Sequence, residues 1–113
     1  MASCSSQVHG GGFSSGDTGG GLFNGAILFN GTYNAHMHDV IVVSVSYRLG
    51  VFGFLGSKSL LSRAPQDGTG NYGIQDQRMA MEWTQRNIKY FGGDPKRVMI
   101  FGESESLSTF SRL

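Results

Sequence analysis

The stretch "VMIFGES", residues 98–104, decides how the chain is read. Val98 to Phe101 are four apolar residues, the length and composition of a strand buried in a sheet. Gly102-Glu103-Ser104 follows at once. A strand feeding Gly-x-Ser can hold a serine hydroxyl above the end of a sheet, and the glycine keeps the sharp turn free of clashes. The chain then continues Glu105-Ser106-Leu107, where such a turn favours small residues. From its own turn, Ser104 is a nucleophile, the remnant of one, or an ordinary serine.

Working back from that strand, Gly92-Gly93 stops a helix and Asp94-Pro95 starts a short turn. The helix covers about residues 74–91, with Asn71 or a neighbour as its cap. Ile74, Ala80, Met81, Thr84, Ile88 and Phe91 roughly follow helical spacing along one face. Glu82 and Arg86 form an i,i+4 pair in the favourable orientation. Residues 62–71 read as a loop, and Gly50, Gly53 and Gly56 mark a packed, irregular connection. Before it, "DVIVVSVSYRLGVFGFL" (39–55) holds the clearest strand. Its uninterrupted Val40 to Val43 suggest burial on both faces of a parallel sheet. Strands alternating with a helix predict an α/β fold with a mainly parallel sheet and flanking helices.

Glycine is the compositional outlier, at 18 of 113 residues, against an average of roughly 7%. Much of it lies between Gly10 and Gly31, and residues 9–21 read as loop. Within it, "HGGGF" (9–13) lets backbone N–H groups approach a ligand atom. That suits a developing oxyanion, a phosphate, or nothing beyond a flexible loop. An HGGG-type loop followed later by strand-Gly-x-Ser is one known pairing of an oxyanion hole with its nucleophile, and the two occur here in that order.

Other features set bounds. Charge is nearly balanced, with 9 Lys+Arg against 8 Asp+Glu, which gives no electrostatic case for a nucleic acid or a membrane surface. No apolar run approaches the ~18 residues of a membrane helix, and residues 1–8 read as a short polar leader without the features of a secretory signal. Cys4 is the single cysteine, so no internal disulfide or cysteine metal site forms, and it reads as an inert thiol in a frayed terminus. His9 fits a role in positioning the glycine loop. His36 and His38 precede the strand at 40 and are weak candidates for a base or a metal site. Asp67, Asp76 and Asp94 suit loop and cap roles. Asn30-Gly31-Thr32 is a glycosylation sequon.

Three blocks together resemble the type-B carboxylesterase and cholinesterase-like family of α/β-hydrolases: "VHGGGFSSG" (8–16), "DVIVVSVSYRLGVFGFL" (39–55) and "GNYGIQDQRMAMEWTQRNIKYFGGDPKRVMIFGES" (70–104). The resemblance implies an incomplete α/β-hydrolase fold, with residues 1–113 forming part of the domain from the oxyanion loop through the nucleophile elbow. It implies Ser104 as nucleophile, and backbone N–H groups of Gly11, Gly12 and Glu105 as the oxyanion hole. It further implies hydrolysis of small-molecule carboxylic esters through an acyl-enzyme, with no cofactor or metal. Members of the family are typically secreted, membrane-tethered or lumenal.

The chain departs from the family after Ser104, reading "GESESL" where the family has "GESAGG". A carboxylate at 105 opposes an oxyanion, and Ser106 and Leu107 add bulk. The family's catalytic acid and histidine follow the serine, and only nine residues do so here. The expectation is a truncated sequence with little or no turnover as it stands, since serine alone is a poor nucleophile. Two rivals stand beside it. One is a non-catalytic cholinesterase-like adhesion or interaction module. The other is a piece that does not fold stably, with long unpaired strand edges.

Overall fold

The computed structural model describes residues 1–18, 30–63, 65, 66 and 68–102. They form a three-stranded parallel sheet in the order β2-β1-β3, flanked by helices. The elements in chain order are β1 (Ala2–Val8), α1 (Thr32–His38), β2 (Val40–Val45), α2 (Gly50–Phe54), α3 (Lys58–Arg63), α4 (Tyr72–Asn87), a 3-10 turn over Ile88–Phe91, and β3 (Gly93–Gly102). This is a partial α/β-hydrolase arrangement, as the alternation of strand and helix predicts.

The central strand is the one that sequence patterning misses: the family resemblance leaves only Gln7-Val8 of it, yet it runs over Ala2–Val8. Ala2–Val8 is neither leader nor frayed end: Cys4 to Val8 are all buried, with Cys4, Ser6 and Val8 at 0% exposure. Serine has little intrinsic strand preference. Here the neighbours decide, because β1 has a partner on each side and its backbone groups are paired by both. The expected strand at 40 is present, but among the described residues it pairs only with β1 and is half-buried rather than enclosed.

β3 is longer than expected. It begins at Gly93, and its register against β1 shifts between Ala2 and Cys4 before running regularly from Val98 to Gly102. The Asp94-Pro95 turn persists inside it as a local irregularity, with the Lys96 N–H donating to Asp94 Oδ1 at 2.9 Å.

The long helix forms as its spacing predicts. Thr84 and Ile88 are buried, Ala80 and Met81 pack against the core, and Phe91 stays exposed. Its last turn tightens to 3-10 geometry and ends at Gly92 in a left-handed conformation (φ 85°). Asn71 occupies the cap position without a side-chain cap bond. The 50–63 connection contains two short helices rather than irregular chain. The core is the contact of α4 with the carboxyl ends of β1 and β2, centred on Val8, Val45 and Tyr47 with Phe13 and Leu49 beside them.

Candidate active site

In a parallel sheet all strands leave by the same edge, and ligands gather there. Val8 pairs with Val45 on one side and with Gly102 on the other. The loop after β1, the segment after β2 and the carboxyl end of β3 therefore share one edge. The first carries His9 to Gly12, the second Tyr47 and Arg48, and the third leads toward Ser104. Ser104 and Glu105 themselves lie outside the described residues.

The glycine loop is ordered by its carbonyl groups. Nδ1–H of His9 donates to the Gly10 carbonyl at 2.9 Å. The Gly11 carbonyl accepts from the Ser14 and Ser15 N–H groups at 3.2 and 3.1 Å, and from both hydroxyls at 3.3 and 3.2 Å. A trans peptide points its N–H opposite to its C=O, and no peptide among the described residues is cis. The Gly11 N–H is thus directed away from the His9 ring, and the Gly12 N–H away from the serine turn. Gly11 has φ 121°, and a side chain there would overlap the Ser15 carbonyl, so only glycine makes this bend without strain. Both Gly11 and Gly12 are exposed.

A bracket of chain from the end of β2 holds this loop at both ends. The Tyr47 hydroxyl donates to the His9 carbonyl at 2.8 Å, and the two rings stack with centroids 4.6 Å apart. The Gly50 N–H donates to the Phe13 carbonyl at 2.7 Å. Between them Arg48 is clamped to α4: its Nε and Nη2 reach the two oxygens of Asp76 at 2.8 Å each, and its backbone N–H adds a third bond at 3.0 Å. Hydrogen bonds from the guanidinium hold the Asp76 carboxyl below the usual carboxylate range, against a smaller opposing effect of burial. Asp76 is thus a cross-link between elements rather than a loop or cap residue. The reading of His9 as a positioning residue agrees with its 3% exposure and its bond to Gly10.

The remaining candidates fall elsewhere. His36 and His38 are exposed on α1, which leads into the first residue of β2. Five residue steps of about 3.3 Å separate that edge from the one carrying the glycine loop, so neither histidine is placed to serve a nucleophile after Gly102. Asn30 is exposed, and its Oδ1 accepts from both the N–H and the hydroxyl of Thr32. Cys4 is sealed inside β1, and burial pushes its thiol pKa up, with the Ser6 hydroxyl acting in the opposite sense. Among the described residues no cluster of three or more His, Cys, Asp or Glu could hold a metal ion, and no helix is long and apolar enough to cross a membrane.

Tyr47 and the Arg48–Asp76 clamp are the site residues that sequence reasoning passes over. The available signal was the Tyr-Arg pair at the end of an apolar strand, a place where polar side chains face the functional edge.

Residues 6–105 match the family model described as "Carboxylesterase family". An acetylcholinesterase of Danio rerio is 46% identical over 89 residues, which cover 76% of this chain and 13% of that protein. Cholinesterase 1 of Branchiostoma lanceolatum is 51% identical over 89 residues, 76% of this chain and 23% of the relative. Fumonisin B1 esterase of Sphingopyxis macrogoltabida is 41% identical over 106 residues, 94% of this chain and 18% of the relative. The chain therefore spans under a quarter of the length of these relatives. With the sheet, the glycine loop and the strand leading to Ser104 all in family order, and 100 of its 113 residues within the family match, the chain belongs to the carboxylesterase family.

Proposed function

We propose that the protein carrying this chain is a serine hydrolase of small-molecule carboxylic esters. One observation carries the reading: the parallel register that sets Val8 beside Gly102 brings the HGGG loop and the approach to Ser104 to one edge of the sheet. In this reading the Ser104 hydroxyl attacks the acyl carbon and gives its proton to a histidine base. The Gly11, Gly12 and Glu105 N–H groups stabilise the oxyanion. The C–O bond to the alcohol then breaks, the alcohol leaves with the proton, and water releases the acid from the acyl-serine. No cofactor takes part. The histidine and its acidic partner belong to sequence after Ser104, and residues 1–113 supply the oxyanion and nucleophile portion of the domain. The relatives, an acetylcholinesterase, a cholinesterase and a fumonisin B1 esterase, favour the same chemistry.

The test uses the full reading frame that encodes this chain, assayed with a p-nitrophenyl butyrate substrate and a fluorophosphonate probe. Turnover, labelling mapped to Ser104, and loss of both in Ser104→Ala are expected. The 113-residue polypeptide alone is expected to show neither. Absence of labelling and turnover in the full-length protein overturns the proposal. It favours the second reading, a non-catalytic interaction module, for which the Glu105-Ser106-Leu107 departure speaks.

A further inference from the structure

We propose that Tyr47 is a positioning residue for the oxyanion hole, acting through His9; the inference rests on the esterase reading above. Three successive carbonyls in the loop each have a fixed partner. That of His9 accepts from the Tyr47 hydroxyl, that of Gly10 from the His9 imidazole, and that of Gly11 from Ser14 and Ser15. The last two peptides carry the N–H groups assigned to the oxyanion. Glycines have no side chains with which to anchor themselves, so the order of such a loop is set by what its carbonyls bind.

Tyr47 enters this chain of contacts twice. Its hydroxyl sets the first peptide plane. Its ring, stacked at 19° on the His9 imidazole, keeps that imidazole oriented to donate to Gly10, which in turn fixes the plane bearing the Gly11 N–H. Tyr47 is 7% exposed and packs with Val8 and Val45, so it has little freedom to follow a loop that shifts. Donors aimed in advance at a developing charge are worth far more than donors that must reorient during the reaction. Tyr47 therefore acts on the transition state without touching substrate.

The experiment uses the full-length protein, with active-site concentration fixed by fluorophosphonate titration so that misfolded molecules drop out of the rate. Tyr47→Phe keeps the stacked ring and removes the hydroxyl; about a tenfold fall in kcat is expected, with KM within about twofold, since losing an entire oxyanion donor costs about 10²–10³-fold. The inhibition constant of a trifluoromethyl ketone, which forms the tetrahedral adduct, should rise by a similar factor. Hydrogen exchange of the Gly10–Phe13 amides should quicken in parallel. Tyr47→Leu removes the ring as well and should lower kcat further; if it does not fold, Tyr47→Phe alone decides. An unchanged kcat and ketone affinity in Tyr47→Phe, or a change confined to KM, overturns the proposal. If the parent neither labels nor turns over, the esterase reading has failed by itself. Exchange at residues 10–13 then decides whether Tyr47 braces the loop, and unaltered exchange overturns that too.

Discussion

Asp76 carries a pH signature that can be read without any assay of activity. Its carboxyl sits below its ordinary pKa because Arg48 binds the ionised form. A group depressed on folding adds stability above its unfolded pKa, about 3.9, and that stability is lost as pH falls through the lower folded value. Urea midpoints of the full-length protein measured from pH 7 to pH 3 should therefore drop at the acid end for the parent. In Asp76→Asn they should start lower and show a flatter profile below about pH 4. Gly16 offers a second check on the loop. It has φ 128°, and a side chain there would overlap His9 Nδ1 and stand 2.6 Å from the Gly10 carbonyl. Gly16→Ala should cost about 1–3 kcal/mol in denaturant titration and quicken exchange at residues 10–13. At Asn30, expression in a secreting eukaryotic host should add one glycan that peptide N-glycosidase removes and Asn30→Gln abolishes. At this scale the sequence displays Gly11, Gly12 and Ser104, because loop and elbow chemistry restrict residue type locally. Tyr47 and the Arg48–Asp76 clamp stay hidden, since their partners lie 38 and 28 positions away and no local pattern encodes such contacts.

The elements divide along a similar line. α4 is legible because an amphipathic helix repeats its pattern over four turns, and Gly92 marks its end. β2 is legible from its run of valines and isoleucine. β1 is not, since "ASCSSQV" shows neither alternation nor a hydrophobic run, and only pairing on both sides makes it a strand. At the start of β3, Asp94-Pro95 is a turn signal, and that turn is retained as an irregularity within the strand. How α4 seats on the sheet also depends on a position that helical spacing says nothing about. A side chain at Gly73 would come within 2.5 Å of the Arg48 carbonyl and 2.7 Å of the Phe54 ring. Gly73→Ala should therefore push α4 from the 48–54 segment. The expected loss is about 1–3 kcal/mol, seen as a lower urea midpoint with an unchanged slope.

For the molecule as a whole, surface decides more than core. Met79, Trp83, Phe91, Met99 and Ile100 are all exposed, and β2 and β3 each have β1 as their one partner among the described residues. Unpaired edges and exposed apolar side chains invite association. The isolated 113-residue polypeptide should bind anilinonaphthalene sulfonate at neutral pH and show narrow amide-proton dispersion. A well-dispersed spectrum without dye binding would show that the small core suffices. The position of β1 in the middle of the sheet has a consequence for synthesis. Ser6 pairs with Val43 and with Ile100, so its second neighbour leaves the ribosome 94 residues later, roughly 5–20 seconds at ordinary translation rates. A valine-rich strand would spend that interval seeking other partners. A strand with three serines and a glutamine among its seven residues can wait in water, and the composition that conceals β1 from pattern reading is one that suits a strand whose last neighbour arrives late.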